Sequence, residues 1–234
     1  MKEKIFFVYN VITAENTANS IVITDGQDFY IPDNITAASA TYTRSCFRDG
    51  YHETICLPFA PDATPEGYAL SEFRTKDETN AYFQTATSWM AGAPYLLKYT
   101  GTPSSENADA TFSATGSVTV VAQPLIVDYL EGRFQANNSP ADYNYILGVY
   151  GTQEIFKQAS ATYPLKPFRC RLFLAAYTSK ALQLVFDDEI PTGINGAQQG
   201  LSDKDTFYDL QGRPVKYPMK GGVYIINGSK RVYK

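Results

Sequence analysis

No stretch of this chain keeps an apolar period of about 3.6 residues over three turns. Short alternating or apolar segments closed by turn residues recur instead along most of its length. They run from Ile21–Thr24, ahead of Asp25-Gly26, through Thr36–Phe47, Thr54–Phe59, Tyr68–Arg74 and Tyr95–Thr100. Ser117–Val121, Tyr145–Val149, Arg171–Tyr177 and Leu182–Phe186 continue the series. The apolar stretch Ser160–Thr178 is long enough for a helix, but Pro164 and Pro167 would break it. Eighteen Tyr and fourteen Phe, with abundant Thr and Val, favour strands. This is the spacing of a sandwich or barrel, and it predicts an all-β fold with an antiparallel β-sandwich over residues 1–190.

The clearest boundary begins at Pro191, where the text turns rich in Gly, Gln and Asp and poor in bulky apolar groups. Residues 191–204 read as a flexible linker. Residues 205–234 read as a small C-terminal β-hairpin module. Phe207–Leu210 and Pro214–Tyr217 make one expected pair around Gln211-Gly212, and Val223–Ile226 and Lys230–Tyr233 another around Asn227-Gly228-Ser229. An Asn-Gly turn would set Val223 opposite Val232, because both turn residues tolerate positive φ; a Gly228-Ser229 turn would set Tyr224 opposite Tyr233.

Composition removes several function classes. The net charge is −4 with no basic cluster among the aromatics, so a nucleic-acid partner has no electrostatic support. No apolar run approaches the ~20 residues of a membrane helix, so no transmembrane segment is expected. The opening MKEKIFFVYNVITA imitates a signal peptide, but Tyr9 and Asn10 interrupt its apolar run, and it reads as a strand. Cys46, Cys56 and Cys170 lack zinc-ligand spacing. Cys46 and Cys56 flank a turn at Arg48-Asp49-Gly50; a disulfide there needs an odd-length loop, and buried free thiols are the favoured reading.

His52, the single histidine, falls in the expected hairpin loop Asp49–Glu53 without a serine elbow, and reads as a solvated loop residue. In Asp187-Asp188-Glu189, consecutive carboxylates on a strand end alternate faces and do not converge on a substrate. Asp203-Lys204-Asp205 lacks the glycine and glutamate of a calcium loop, and Gly221-Gly222 precedes a strand, so it cradles no phosphate. Trp89, Tyr82, Tyr143, Tyr145 and Tyr150 lie near loops and offer material for a sugar-stacking platform, although most Tyr in such a sheet are partly buried. No catalytic, metal-binding or cofactor-binding residue is assigned, and the ligand-binding residues stay unknown.

Several stretches together resemble a module of secreted and cell-surface proteins of Bacteroides and Prevotella, often found downstream of leucine-rich repeats. They are DGQDFYIPDNITAASATYTR (Asp25–Arg44), TICLPF (Thr54–Phe59), AGAPYLLKY (Ala91–Tyr99), YILG (Tyr145–Gly148), LKPFRCRLFL (Leu165–Leu174) and FDDEIPTGI (Phe186–Ile194). The tail YDLQGRPV…GGVYIINGSKRVYK is similar to type IX sorting-type C-terminal domains. The resemblance departs at Pro191, where a Thr-Thr-Gly run is more usual, and at Cys170, where a small residue is. It implies an extracellular or outer-surface location, with the export signal outside this sequence, and a non-enzymatic accessory domain of structural or adhesive role. The partners it implies are a host surface protein or glycan and other domains of a longer parent chain. The alternatives are a carbohydrate-binding module using exposed Tyr or Trp and, behind it, a glycoside hydrolase with two facing carboxylates.

Overall fold

The computed structural model describes residues 16–137, 144–159, 164–174 and 181–186, together with four short strands between 207 and 232. These residues form strands and turns and no helix, so the fold is all-β. The chain divides into two compact units, Met1–Asp187 and Asp188–Lys234. The opening segment, the acidic run Asp187-Asp188-Glu189, the 191–204 stretch and Tyr143 lie outside the described residues.

The first unit contains β1 (Thr17–Ala18), β2 (Ile21–Thr24), β3 (Ile35–Cys46), β4 (His52–Cys56), β5 (Tyr68–Lys76), β6 (Asn80–Thr85) and β7 (Pro94–Tyr99). It continues with β8 (Ala108–Val120), β9 (Ile126–Val127), β10 (Leu130–Arg133), β11 (Asn144–Tyr150), β12 (Gln153–Gln158), β13 (Arg169–Phe173) and β14 (Leu182–Phe186). In the smaller sheet β8 runs antiparallel along the whole of β3, from Ile35 opposite Val120 to Cys46 opposite Ala108. The other edge of β3 is shared by β1 and β2, both parallel to it. Buried Ala37 and Ala40 are three residues apart, which breaks the two-residue alternation of the strand. The register shift between Ala37 and Ser39 absorbs that phase change, and Gly116 on β8 takes φ 94° beside it. Outward-facing Thr36, Thr43 and Ser45 meet Thr119, Thr111 and Asp109, a solvated face suited to β-branched and small polar residues.

The larger sheet has the order β4-β7-β5-β6-β14-β12-β11-β13-β10-β9. All its pairs are antiparallel except β6 with β14, which run parallel from Asn80 opposite Gln183. The sheet curls. Cys56 N–H donates to Phe168 O at 3.2 Å, and Cys170 N–H to Thr54 Oγ1 at 3.1 Å, so the first strand returns to the eighth. Strands walled on both faces read as unbroken apolar runs, as Ile55-Cys56-Leu57 and Tyr95-Leu96-Leu97 do. Inside the curl, Phe83 contacts Phe73, Phe156 and Phe186, with ring centroids 5.4, 6.2 and 6.0 Å away.

The small sheet packs over the seam where β4 meets β13. Tyr42 of β3 contacts Phe112 of β8 and Phe168 of the large sheet, while Phe29 and Phe134 close the cluster. Phe168 has φ 58°, a left-handed conformation that costs a bulky residue roughly 1–3 kcal/mol. Its fully buried ring, in contact with Phe29, Tyr42 and Phe134, offsets that strain.

Two expectations are corrected. Asp49-Gly50 does turn the chain, with Gly50 at φ 86° and Tyr51 N–H bonded to Asp49 Oδ1, but no hairpin results. Cys46 ends a strand of the small sheet and Cys56 a strand of the large one, because β8 and β7 supply their respective partners. His52 therefore stands on β4 rather than in a loop.

In the second unit, β15 (Phe207–Tyr208), β16 (Pro214–Val215), β17 (Val223–Ile226) and β18 (Ser229–Val232) form an antiparallel sheet in the order β16-β15-β17-β18. Val223 pairs with Val232 and Ile226 with Ser229, the register expected of an Asn227-Gly228 connection.

Candidate functional site

Among the described residues, two clusters of buried polar side chains, the buried cysteines and one surface groove are the positions to weigh as a site. The first is at one end of the curled sheet. His52 comes from β4, Glu154 from β12 and Phe186 from β14, strands that lie four and five places from β4 in the sheet order. They meet only because the sheet curls. Glu154 accepts from His52 backbone N–H with one carboxylate oxygen and contacts the ring Nδ1 with the other at 2.9 Å. An ionised carboxylate only accepts, so Nδ1 carries the proton. The Phe186 ring stacks on the imidazole with centroids 4.6 Å apart and planes 15° off parallel. The His52 side chain is only 6% exposed, which corrects its reading as a solvated residue. Burial pushes the Glu154 carboxyl up, but the hydrogen bonds from His52 and the His52 and Lys98 charges outweigh it. The net effect holds it below the usual glutamate value.

The second position lies between the sheets. Arg44, its side chain fully buried, donates to Glu53 Oε2 at 2.7 Å, to Thr54 O at 3.1 Å and to Cys46 Sγ at 3.3 Å. Burial opposes its charge, but the Glu53 carboxylate more than compensates, so the guanidinium stays protonated. Beside it Arg169 forks onto both oxygens of Asp25, and Tyr42 O–H donates to Asp25 Oδ1 at 2.6 Å. These pairs tie small sheet to large through side chains whose hydrogen-bonding capacity is used on each other.

The three cysteines are free and buried. Cys56 Sγ donates to Gly92 O and Cys170 Sγ to Ile55 O, both at 3.2 Å. Burial pushes Cys170 up to about 12, and Cys46 and Cys56 upward as well, so each stays a thiol at neutral pH. Among the described residues, no three His, Cys, Asp or Glu side chains are grouped to hold a metal ion. No helix there is long and apolar enough to cross a membrane.

Of the aromatic residues singled out in the sequence, the four described ones do not converge. Trp89 packs on Tyr95 and Phe112 and donates its indole N–H to Thr64 Oγ1. Tyr145 is buried, Tyr82 O–H is bonded to Asp77, and Tyr150 stands exposed on β11 with Lys157 over its ring. Sequence reasoning missed a surface feature that the fold does build, a groove of about 240 Å³ lined by residues 29–30, 122–124 and 131–135. Tyr30, 67% exposed, forms one wall, and Gln123, Pro124, Glu131, Arg133 and Gln135 also line it. Arg171 pins Glu131 by two bonds to Oε2, at 2.6 and 2.8 Å, while Oε1 lies 3.4 Å from Arg133. The only sequence signal was the switch from buried Phe29 to exposed Tyr30 within Asp28–Ile31, and a single alternation is too short to read.

A comparison of the chain with protein-family models, with curated proteins and with solved structures finds no match.

Proposed function

We propose that this chain is a non-enzymatic, exported accessory domain of a bacterial cell-surface protein, with an adhesive or structural role. The observation that carries the reading is the state of His52. Its ring proton is committed to Glu154, one ring face is covered by Phe186, and the Glu154 carboxylate is occupied by the same residue's backbone. A general base must reach a substrate proton or a nucleophile, and this pair is spent on joining opposite walls of the sheet. The thiols are buried and protonated in the same sense. Export and surface location rest on the ordered motif series from Asp25 to Lys234.

A second reading, a carbohydrate-binding module, is favoured by the Tyr30 groove, which sets an exposed ring beside planar hydrogen-bonding side chains. The test is a screen of the purified chain against immobilised glycans and host-matrix proteins, with the eluted glycans analysed for cleavage. Retention with intact glycans supports the proposal. New reducing ends that disappear in Glu154→Gln contradict it, whereas the absence of any retention at high micromolar concentration removes the adhesive role and leaves the structural one.

A further inference from the structure

We propose that the groove beside β10 holds one ring of a neutral saccharide, stacked on Tyr30, with a pair of neighbouring hydroxyls bound between Arg133 and Glu131. This rests on the adhesive reading and names its ligand class. Its size is the first argument. At about 240 Å³ the groove falls below the ~300–1,000 Å³ of pockets for drug-sized ligands, so one ring fills it.

The second argument is the arrangement of donors and acceptors. Arg171, only 12% exposed, holds Glu131 Oε2 in place. Glu131 Oε1 and Arg133 Nη1 form a long ion pair at 3.4 Å, and Arg133 Nε reaches Gln135 O at the same distance; these contacts are weak enough for a hydroxyl to compete, and all three residues line the groove. A hydroxyl both donates and accepts. One hydroxyl of a vicinal pair accepts from Arg133 while its neighbour donates to Glu131. Gln123 and Gln135 also line the groove, and Tyr30, an exposed aromatic residue, supplies an apolar face for the C–H side of the sugar.

Charge argues for a neutral ligand. Glu131 lies between Arg133 and Arg171, and Asp28 adds a second carboxylate near Arg133, so the positive and negative groups balance. The backbone argues against a peptide. Gly132 N–H is bonded to Leu125 O, Arg133 O accepts from Phe168 N–H, and Phe134 O accepts from Phe29 N–H. A peptide main chain finds no ladder partner on this floor, whereas a sugar needs only side chains.

The test is a titration of the whole chain with methyl α-mannopyranoside, methyl β-galactopyranoside and methyl α-fucopyranoside, followed by amide NMR shifts. At least one should bind with Kd on the order of 1 mM, as a small neutral ligand of this size allows. Tyr30→Ala and Arg133→Gln should each weaken it by about tenfold or more, and deoxygenating one hydroxyl of the pair should do the same. Tyr150→Ala, remote from the groove, should leave it unchanged. Circular dichroism of each variant separates loss of binding from loss of fold. Binding that survives Tyr30→Ala overturns the assignment, and so does the absence of binding to all three sugars. If the chain adheres to a matrix protein or acidic peptide with Tyr30→Ala and Arg133→Gln unaffected, the saccharide site is wrong and the adhesive reading stands. No adherence of any kind removes both.

Discussion

Glu154 on β12 grips His52 on β4 twice, through the backbone N–H and through ring Nδ1. The two strands are five places apart in the sheet order, so this contact measures how far the sheet has curled. It also consumes the two groups on the described surface of the curl that most resemble a base and its orienting acid.

The grip makes stability depend on acid. The folded-state pKa of Glu154 lies below its ordinary value of 4.5, so the unfolded chain binds more protons between the two values. The contribution is complete above that ordinary value and is lost as the pH falls through the folded one. Glu154→Gln should cost about 1–3 kcal/mol at pH 7 and flatten the acid limb of stability. Urea midpoints from pH 3 to 7 would show it. An unchanged acid limb contradicts the assignment.

Arg44 and Glu53 form the buried link between the sheets. Removing one partner leaves a buried charge, so Arg44→Met and Glu53→Gln should each cost about 3–5 kcal/mol. The double variant Arg44→Met with Glu53→Gln should be less destabilised than the sum of its parts. A double-mutant cycle on denaturant midpoints reads the coupling. Additive losses count against the pair.

Gly132 reports the approach of β10 to β4. A Cβ built there meets Cys56 Sγ at 2.2 Å and Cys56 Cβ at 3.0 Å. Gly132→Ala should therefore destabilise by about 1–3 kcal/mol through overpacking, and Cys56→Ala in the same chain should recover part of the loss. A Gly132→Ala protein with wild-type melting behaviour would mean that the strands do not meet.

The thiols give a kinetic readout. All three are buried, and burial raises their pKa values. Under native conditions at pH 8 they should react with a thiol reagent only at the rate of unfolding, and together once denaturant is added. A single cysteine reacting at the speed of a free thiol would place it at the surface.

Much of the strand content was legible because local chemistry decides it. Ile21–Thr24 and Leu182–Phe186 lie where alternation and apolar runs put them, and the Val223–Val232 register follows from Asn-Gly. β6, β10 and β12 passed unread: Asn80–Thr85 and Gln153–Gln158 mix polar residues into faces that are only half buried. The partners of each strand were less legible still. A turn at Asp49-Gly50 looks the same whether it folds β3 back on itself or carries the chain to another layer, and only pairing with β8 and β7 distinguishes these. His52 was misread for that reason. The groove brings residues 29–30 against 122–135, about ninety positions along the chain, so no local pattern announces it.

The His52–Glu154 pair is architecture, and ligand contact belongs to the groove lined by Tyr30 and Arg133. The direct measurement is one Glu154→Gln preparation, assayed for unfolding free energy, for saccharide affinity at the groove and for saccharide cleavage. The expected result is lower stability, unchanged affinity and no cleavage by either wild type or variant. Unchanged stability together with a cleavage activity lost in the variant would contradict it.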